Sequence, residues 1–492
     1  MKKAIIGFAA AAAVCGCMDL PSVGPDYVEP EVKAIDAALP DAGEPPQMTN
    51  GDERVEISEE TMHLWWKQFN DPVLDSLIES AFASNLSYKV AQKRLEEASW
   101  VLMGTYSEFL PKVNASGDWY DNVNRRRNSS LASVYRQTGN KKRHSQIADL
   151  GVGADWEIDI FGGSRRATEA ALALMEGAAS DLDNAWLQLS AQIGEQYISL
   201  RTCQERIAVA EANLMLQTET YDILKSRLDS GIGDELAVNQ CAYVVEQTRA
   251  RIPALKTQEE ELKNALAILA GEMPGALHDK LAPVELKRDW LLAPQKLGEL
   301  PLDMIRSRPD VQSAERKLAA QCARIGVAKS AWYPKLHITG SVGYQSVQTS
   351  RLITKGALMS SFGPSATWSI FSAGAIYSTV KAEEARTEQA ALEYELAIDQ
   401  AYAEVRNAYS AYSHEYHTYS ALEDAVRAAN DAVSISRDLY RNGLRDFNNV
   451  LDAQRSRLSL EEQFVVSRGQ ITLNLIELYK TLGGGLANPR EK

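Results

Sequence analysis

The most constraining feature of the sequence is a proline-free stretch from Ser164 to Ser230 in which apolar residues recur every seven positions. Six successive members of this series are aliphatic or aromatic: Ile193, Leu200, Ile207, Leu214, Tyr221 and Leu228. A sustained seven-residue apolar repeat predicts a coiled-coil seam. An unbroken helix over this stretch would be ~100 Å long at 1.5 Å rise per residue, so it cannot lie inside one compact globule.

The same pattern recurs later in the chain at a fixed offset. Trp156 and Trp368 are separated by the same interval as the turn glycines Gly231 and Gly443, and we call this the short repeat interval. Adding the short repeat interval to each residue number of the first series gives a second series. Its members are again all aliphatic or aromatic: Val405, Tyr412, Tyr419, Val426, Val433 and Tyr440.

A second, longer offset relates the parts of the chain before the hairpins. Pro111 and Pro334 define this long repeat interval, which exceeds the short one by eleven positions. The first hairpin loop is therefore longer than the second by that amount. The chain contains two copies of a helix, hairpin, long helix, turn and returning helix.

The predicted helices follow from apolar periodicity, proline positions and turn glycines. The repeats are predicted to carry helices from Asp71 to about Tyr106, from Ser164 to Ser230, from about Glu235 to Leu269, from Ile305 to Pro334, from about Ile376 to Tyr440 and from Phe447 to about Leu482.

Period-two alternation predicts four strands, at about 112–121, 149–161, 335–345 and 362–372. One face of the first hairpin is apolar and the other carries Gly, Asp and Glu, while Trp119 and Trp156 could serve an aromatic girdle. This is how a pair of outer-membrane strands reads, although a soluble hairpin resting on a core is the alternative.

The stretch from Ile305 to Leu336 predicts a joint between a helix and a strand. Arg308-Pro309-Asp310 favours a helix start, because proline fits the first turn and an acid favours the positive end of the dipole. Pro334 is predicted to stop this helix, and alternation begins directly after it. Pro111 is predicted to mark the same joint in the first repeat.

The N-terminus predicts export. Lys2-Lys3 precedes an apolar run of eleven residues, which suits a signal peptide over residues 1–16. Val14-Cys15-Gly16-Cys17 then resembles the lipobox of bacterial lipoproteins, with Cys17 as the lipidated residue; ordinary signal cleavage is the alternative. Met18 stands where an aspartate would favour inner-membrane retention, so outer-membrane sorting is favoured.

Proline and acidic residues predict how the remaining chain divides. The expected segments are an extended, lipid-anchored tether over 17–60, repeat 1 over 61–273, a linker over 274–302, repeat 2 over 303–485 and a tail over 486–492.

Composition excludes several function classes. The 492 residues carry a net charge of −14, which argues against nucleic-acid binding. No catalytic motif is present, so we expect no enzyme, no cofactor and no metal. Cys203, Cys241 and Cys322 are isolated and are expected to be buried. His414 and His417 could share a metal, but a solvated helix face is favoured.

No stretch approaches eighteen apolar residues, so a membrane crossing would have to use strands. Four strands cannot close a barrel alone. Two chains would give a barrel filled by side chains, whereas three would give twelve strands and leave a lumen. The predicted fold class is therefore mainly α with a membrane β-barrel, a trimeric twelve-stranded barrel continued by a long periplasmic α-helical barrel.

Five motifs occur in order along the chain: VGPDY (23–27), GELP (298–301), RPDVQSAERKLAAQCARIGVAKSAWYPKL (308–336), VLDAQ (450–454) and LGGG (482–485). Together they resemble the outer-membrane factor family, the TolC-like channels of tripartite efflux systems, and especially their lipid-anchored OprM-type branch. The resemblance implies a homotrimer in the outer membrane that docks to a periplasmic adaptor (membrane fusion) protein and to an inner-membrane pump of the RND type. The chain would then be a passive exit duct, as in multidrug resistance.

The resemblance also implies a periplasmic gate near the helix turns that begin at Gly231 and Gly443. Family members often carry an aspartate two residues after the turn glycine, where this chain has Arg445 followed by Asp446. We hypothesise that Asp234, Arg445 and Asp446 close the gate by charge pairing; the alternative is that they are solvated turn residues. For the whole protein, the rival function is a periplasmic coiled-coil scaffold lipoprotein without channel activity.

Overall fold

The structure, a computed structural model, describes residues 22–30, 64–123, 144–283, 302–347 and 351–484. The predictions for the signal peptide, for Cys17, for most of the tether and for the tail at 486–492 lie outside the described residues. No helix in these ranges has an apolar stretch long enough to span a bilayer.

Two copies of the same element order make up the chain. The first copy comprises α1 (Pro72–Ser84), α2 (Leu86–Tyr106), β1 (Lys112–Val123), β2 (His144–Ile158), α3 (Gly163–Asp229) and α4 (Glu235–Leu269). The second comprises α5 (Leu302–Arg306), α6 (Pro309–Ser330), β3 (Lys335–Ser346), β4 (Leu358–Thr367), α7 (Ala375–Arg441) and α8 (Phe447–Thr481). The predicted two-repeat organisation is confirmed.

The two long helices, α3 and α7, are unbroken and have 67 residues each, as the heptad pattern predicted. All twelve seam residues are buried or half-buried, and Leu200 and Val405 are almost completely buried. The seam is therefore a packing surface in both copies. Helix α4 has the predicted limits although Pro253 lies inside it.

The four strands form one antiparallel sheet in the order β1-β2-β3-β4. Lys112 pairs with Asp155 in the first hairpin, and Lys335 pairs with Thr367 in the second. The two lysines are related by the long repeat interval and their partners by the short one, so the hairpins have the same register. Pairing of β2 with β3 joins the copies, and β1 and β4 are the edges of the sheet.

Two predicted strands have the wrong limits. The structure has β2 at His144–Ile158 and β4 at Leu358–Thr367, so Trp368 and Ile370 follow the strand rather than belong to it. Alternation continues past Thr367, but its partner Lys335 is the first residue of β3, and later residues have no partner strand. At the other end, Met359-Ser360-Ser361 lacks alternation, so the pattern alone predicts a loop there.

The helix predicted from Asp71 to Tyr106 is two helices separated at Asn85. Asp71 caps α1 by accepting from Val73 N (2.9 Å), and Asn85 caps α2 by accepting from Tyr88 N (2.9 Å). The amide of Asn85 also donates to the carbonyl of Leu269 (2.9 Å) in the last turn of α4. The Asn85 side chain thus caps the start of α2 and bonds to the end of α4, and these two contacts fix the break between α1 and α2.

The helix predicted from Ile305 is likewise divided, and Arg308 stands where Asn85 stands in the first copy. Arg308 is 7% exposed and donates to the carbonyl of Thr481 (2.9 Å), the equivalent of Leu269. Helix α6 begins at Pro309, within the start signal Arg308-Pro309-Asp310, but ends at Ser330, so the prediction that Pro334 stops it is wrong. Residues 331–333 form a turn first, as the 3-10 turn Ser107–Phe109 does before Pro111.

The chain divides into two compact units, each with its own core. Within the described residues, the first comprises 22–30, 96–123, 144–177, 314–347 and 351–393, and it contains the sheet. Its helices pack closely through small residues: Ala170, Ala173, Ala319, Ala320 and Ala323. The second comprises 64–95, 178–283, 302–313 and 394–484. Its core is aromatic, with Trp65 stacked on Tyr479 and Trp66 edge-on to Trp186.

Candidate functional site

The two turns between long and returning helices have the same backbone geometry. Gly231 (φ +75°) and Gly443 (φ +70°) adopt the left-handed conformation that favours glycine. Ile232 N donates to the carbonyl of Arg227 (3.0 Å), and Leu444 N donates to that of Leu439 (2.9 Å). This is the usual glycine-based helix ending, so both turns are rigidly specified by local sequence.

The predicted gate residues lie at these turns and are exposed. Asp234 and Asp446 are equivalent in the repeat, and each is the N-cap of a returning helix. The carboxylate of Asp234 accepts from Leu236 N (3.0 Å), whereas that of Asp446 makes no capping bond. Among the described contacts within the chain, Arg445 forms no ion pair with either aspartate. The predicted charge pairing is therefore not formed within the described part of a single chain.

A small apolar cluster supports both turns, and the sequence analysis did not single it out. Residues from all four helix ends contribute: Leu224, Ala237, Val238, Cys241, Val244, Phe447, Val450 and Leu451, with Tyr440 packed against them. Tyr440 lies edge-on to Phe447, and the Arg227 guanidinium lies 5.7 Å from the centre of the Tyr440 ring. Burial raises the pKa of Cys241 to about 11, so its thiol stays protonated at neutral pH. The helix ends on either side of both turns are therefore held together by packed apolar side chains.

The joints between helix and strand share one hydrogen bond. Trp156 donates its indole N–H to the carbonyl of Phe109 (2.9 Å), and Trp368 donates to the carbonyl of Trp332 (3.0 Å). Each acceptor lies two residues before the joint proline, Pro111 or Pro334. The sequence analysis singled out Trp156 as an aromatic-girdle residue, and the structure adds a positioning contact to the turn before the strand.

The sheet has an apolar and a polar face. Side chains alternate between the two faces along each strand, and paired residues on neighbouring antiparallel strands lie on the same face. Three sets of paired residues cross all four strands, and all their members except Ser360 are apolar, aromatic or glycine: Val113, Ala154, Gly340 and Phe362; Ala115, Val152, Val342 and Ser360; Gly117, Leu150, Tyr344 and Leu358. We call them the apolar rungs. Most of their large members are exposed in the single chain.

The opposite face carries charged groups near the helix end of the sheet. His337 Nδ1 lies 3.3 Å from a carboxylate oxygen of Asp155, and Lys335 Nζ lies 3.0 Å from one of Glu157. The two ring nitrogens of His337 approach different carboxylates, so these groups do not converge on one point. The arrangement is an ion-pair network on a hydrophilic surface.

Within the described ranges, no group of His, Cys, Asp and Glu could hold a metal ion. His414 and His417 lie on an exposed helix face. Cys203, Cys241 and Cys322 are buried free thiols, as predicted. The lipidation prediction at Cys17 lies outside the described residues.

Comparison with known proteins agrees with this geometry. The family model described as outer membrane efflux protein matches residues 77–272 and 300–484. Nodulation protein T of Rhizobium leguminosarum bv. trifolii is 28% identical over 444 residues, which cover 90% of this chain and 88% of that protein. The toluene efflux pump outer membrane protein TtgF of Pseudomonas putida is 27% identical over 489 residues, or 99% of this chain and 98% of TtgF.

A solved structure shows the same fold. The outer-membrane channel OprN matches with a TM-score of 0.78 and 30% identity, over 94% of this chain and 99% of OprN. This likeness extends through both repeats, the sheet and the returning helices. The chain belongs to the outer membrane efflux protein family, whose members are efflux ducts rather than enzymes.

Proposed function

We propose that the protein is the outer-membrane exit duct of a tripartite efflux system. It would form a homotrimer, receive substrates from an inner-membrane pump of the RND type through a periplasmic adaptor protein, and conduct them passively to the exterior. Family membership supports this proposal, as does the name of the relative TtgF, a toluene efflux pump outer membrane protein.

The single observation that carries the proposal is the two-faced sheet with open edges. Phe362 is 83% exposed and Val113 is 65% exposed, and both lie on its apolar face. Such a face suits lipid, while the face with Asp155 and Glu157 suits water. Open edges are not tolerated in a bilayer, so β1 and β4 must pair with other copies. Three copies supply the twelve strands that leave a lumen.

The gate is proposed at the turns that contain Asp234, Arg445 and Asp446. All three are exposed in the single chain and lie on the turn or the cap beside it, where a neighbouring chain can reach them. Arg445 of one chain would pair with an aspartate of another and hold the turns together. Such pairs in water are weak individually, which suits a gate that an adaptor opens.

The lipid anchor is proposed at Cys17, with outer-membrane lipid as its partner. A diacylglycerol on the first residue after signal cleavage would tether each chain independently of the sheet. Two hydrophobic signals, acyl chains and an apolar strand face, together give stable membrane attachment.

Planar-bilayer recording of the purified protein separates the duct from the rival scaffold. The duct predicts discrete conductance steps, and a scaffold with soluble hairpins predicts none. Replacing both Arg445 and Asp446 with alanine should raise the unitary conductance or the open fraction, while the matched change Arg441→Ala, one turn back on α7, should leave both unchanged. Unchanged conductance in the double variant would argue for solvated turn residues.

A further inference from the structure

The N-terminal residues 22–27 lie in a groove of the first unit, formed by residues 161–169 and 315–326. We call it the N-terminal groove. Val23 N donates to the carbonyl of Phe161 (3.1 Å), and the Tyr27 hydroxyl donates to a carboxylate oxygen of Glu315 (2.9 Å). The Tyr27 ring also packs on the alanine cluster of this unit. Both ends of the segment are thus held.

Arg166 forms the centre of the groove. Its side chain is 6% exposed, and it donates to the carbonyl of Val23 (3.3 Å) and to the carboxylates of Asp26 (2.5 Å) and Glu169 (2.7 Å). A buried guanidinium that keeps its charge needs such partners. Two of its three partners come from the N-terminal segment, so this segment completes the environment of Arg166.

Two glycines allow the backbones to touch. Gly24 has φ +109°, and a Cβ built on it would lie 2.5 Å from the Cα of Gly326. A Cβ on Gly326 would lie 2.6 Å from the carbonyl oxygen of Val23. No other residue fits either position without moving the backbone, which marks a close approach specified by sequence.

The repeat provides an internal comparison, because the positions equivalent to the groove residues carry different side chains. Met103 occupies the position of Gly326, Ser378 that of Arg166, and Lys381 that of Glu169. Within the chain, a Cβ on Gly162 would lie 2.7 Å from Ser22. The sequence therefore supplies the arginine and the close-approach glycine of the groove at one of the two equivalent sets of positions.

We infer that the N-terminal groove is a docking site that holds the lipid-bearing start of the chain against the strand–helix joint of repeat 1. The inference rests on the proposed lipidation of Cys17. Cys17 precedes Ser22 by only five positions, so the anchor lies within ~18 Å of the groove at the maximum extension of ~3.5 Å per residue. Docking therefore sets where the acyl chains enter the membrane. It keeps them within that distance of the strand–helix joint of repeat 1 in each chain.

Hydrogen–deuterium exchange on the full-length protein tests this inference. In the wild type, the peptide containing Val23–Tyr27 should exchange slowly. Gly326→Met, which copies the residue of the other joint, should speed exchange of this peptide at least tenfold, and Arg166→Ala should act in the same direction. The matched control is Gly104→Met, because a Cβ on Gly104 meets nothing within 4 Å and the helix position is nearly equivalent. It should leave this peptide unchanged.

Exchange of β2 and β3 in the same samples reports whether each variant is folded. The measurement is repeated on Cys17→Ser, and the mass of the N-terminal peptide reports lipidation separately. Slow exchange in both lipid states supports a docking site in the protein. Protection that requires the lipid would overturn the inference, because the membrane and not the groove would hold the segment. Fast exchange in the folded wild type, or no effect of Gly326→Met, would overturn it too. None of these outcomes depends on channel conductance.

Discussion

The indole of Trp156 and the carbonyl of Phe109 are joined by a hydrogen bond of 2.9 Å between the end of β2 and the turn before β1. The same bond, from Trp368 to Trp332, occurs in the second repeat. The two tryptophans are related by the short repeat interval and the two acceptors by the long one, so the bond is preserved although the hairpin loops differ in length. It links the two ends of each hairpin where the helices begin.

Removing this bond should loosen each joint. We expect Trp156→Phe and Trp368→Phe each to destabilise the protein by about 0.5–1.5 kcal/mol, the usual net worth of one hydrogen bond. The apparent Tm of the purified protein measures the loss. Trp119→Phe is the matched control, because Trp119 is exposed on β1 and has no indole hydrogen bond among the described contacts. An equal loss in all three variants would show that aromatic area, not the bond, matters.

Arg308 is expected to contribute more to stability than its counterpart Asn85. Arg308 donates to the carbonyl of Thr481 and pairs with Asp310 and Glu404, each at 2.7 Å. We expect Arg308→Ala to cost about 2–4 kcal/mol, since several charge-assisted bonds are lost. Asn85→Ala removes a cap and one carbonyl contact and should cost about 1–2 kcal/mol. Urea unfolding followed by circular dichroism compares the two, and the reverse order would contradict this assignment.

The segment after α4 should be held in a pH-dependent way. His278 Nε2 lies 2.8 Å from a carboxylate oxygen of Glu260, which raises the pKa of His278 above 6.5 and helps lower that of Glu260 below 4.5. The histidine contribution is complete below pH 6.5 and is lost as pH rises through the raised pKa. The glutamate contribution is present above pH 4.5 and is lost as pH falls through the lowered pKa.

The Leu281 amide, which donates to the carbonyl of Leu277, is a suitable probe of this segment. After correction for intrinsic exchange rates, it should be more protected at pH 5.5 than at pH 8.5. His278→Ala should remove the difference and Glu260→Gln should reduce it. A pH dependence that survives in His278→Ala would assign it to another group.

The sequence predicted those parts of the fold that depend on local pattern. Apolar periodicity, proline positions and turn glycines together placed α3 and α7 within one residue of their ends. The seven-residue series also identified their packing surface, because residues such as Leu200 and Val405 are buried on one stripe. Strand limits were less well predicted, because pairing decides them: alternation through Trp368 continues where β3 has no residue to pair. The break at Asn85 was missed because that side chain caps one helix while bonding to the end of another far along the chain.

The candidate site residues also fall into two groups, those that local sequence predicts and those that depend on remote partners. The turn glycines could be predicted from local sequence, since a positive φ at Gly231 is a requirement of the turn itself. The roles of Arg166 and Gly326 could not, because their partners in the N-terminal segment are remote in sequence. For Arg445 and Asp446, the proposed partners lie on other chains, so neither the sequence nor the fold of one chain supplies the contact.

The closed trimer is the central claim, and the repeat predicts the register of its seam. Ala154 pairs with Gly340 where β2 meets β3 within the chain. The short repeat interval carries Ala154 forward to Ala366 on β4, and the long one carries Gly340 back to Gly117 on β1. Ala366 of one copy is therefore predicted to pair with Gly117 of the next. The apolar rungs would then continue around the assembly without a change of face.

Cysteine cross-linking between copies tests this claim most directly. The double variant Ala366→Cys/Gly117→Cys should form a reducible, covalently closed trimer in membranes, because directly paired positions bring Cβ atoms within disulfide reach. Ala366→Cys/Ala115→Cys, two residues out of register, is the matched control and should cross-link weakly. The native thiols Cys203, Cys241 and Cys322 are buried and should not interfere. Absence of a cross-link at the predicted pair, or a ladder of products larger than a trimer, would contradict a closed duct of three chains.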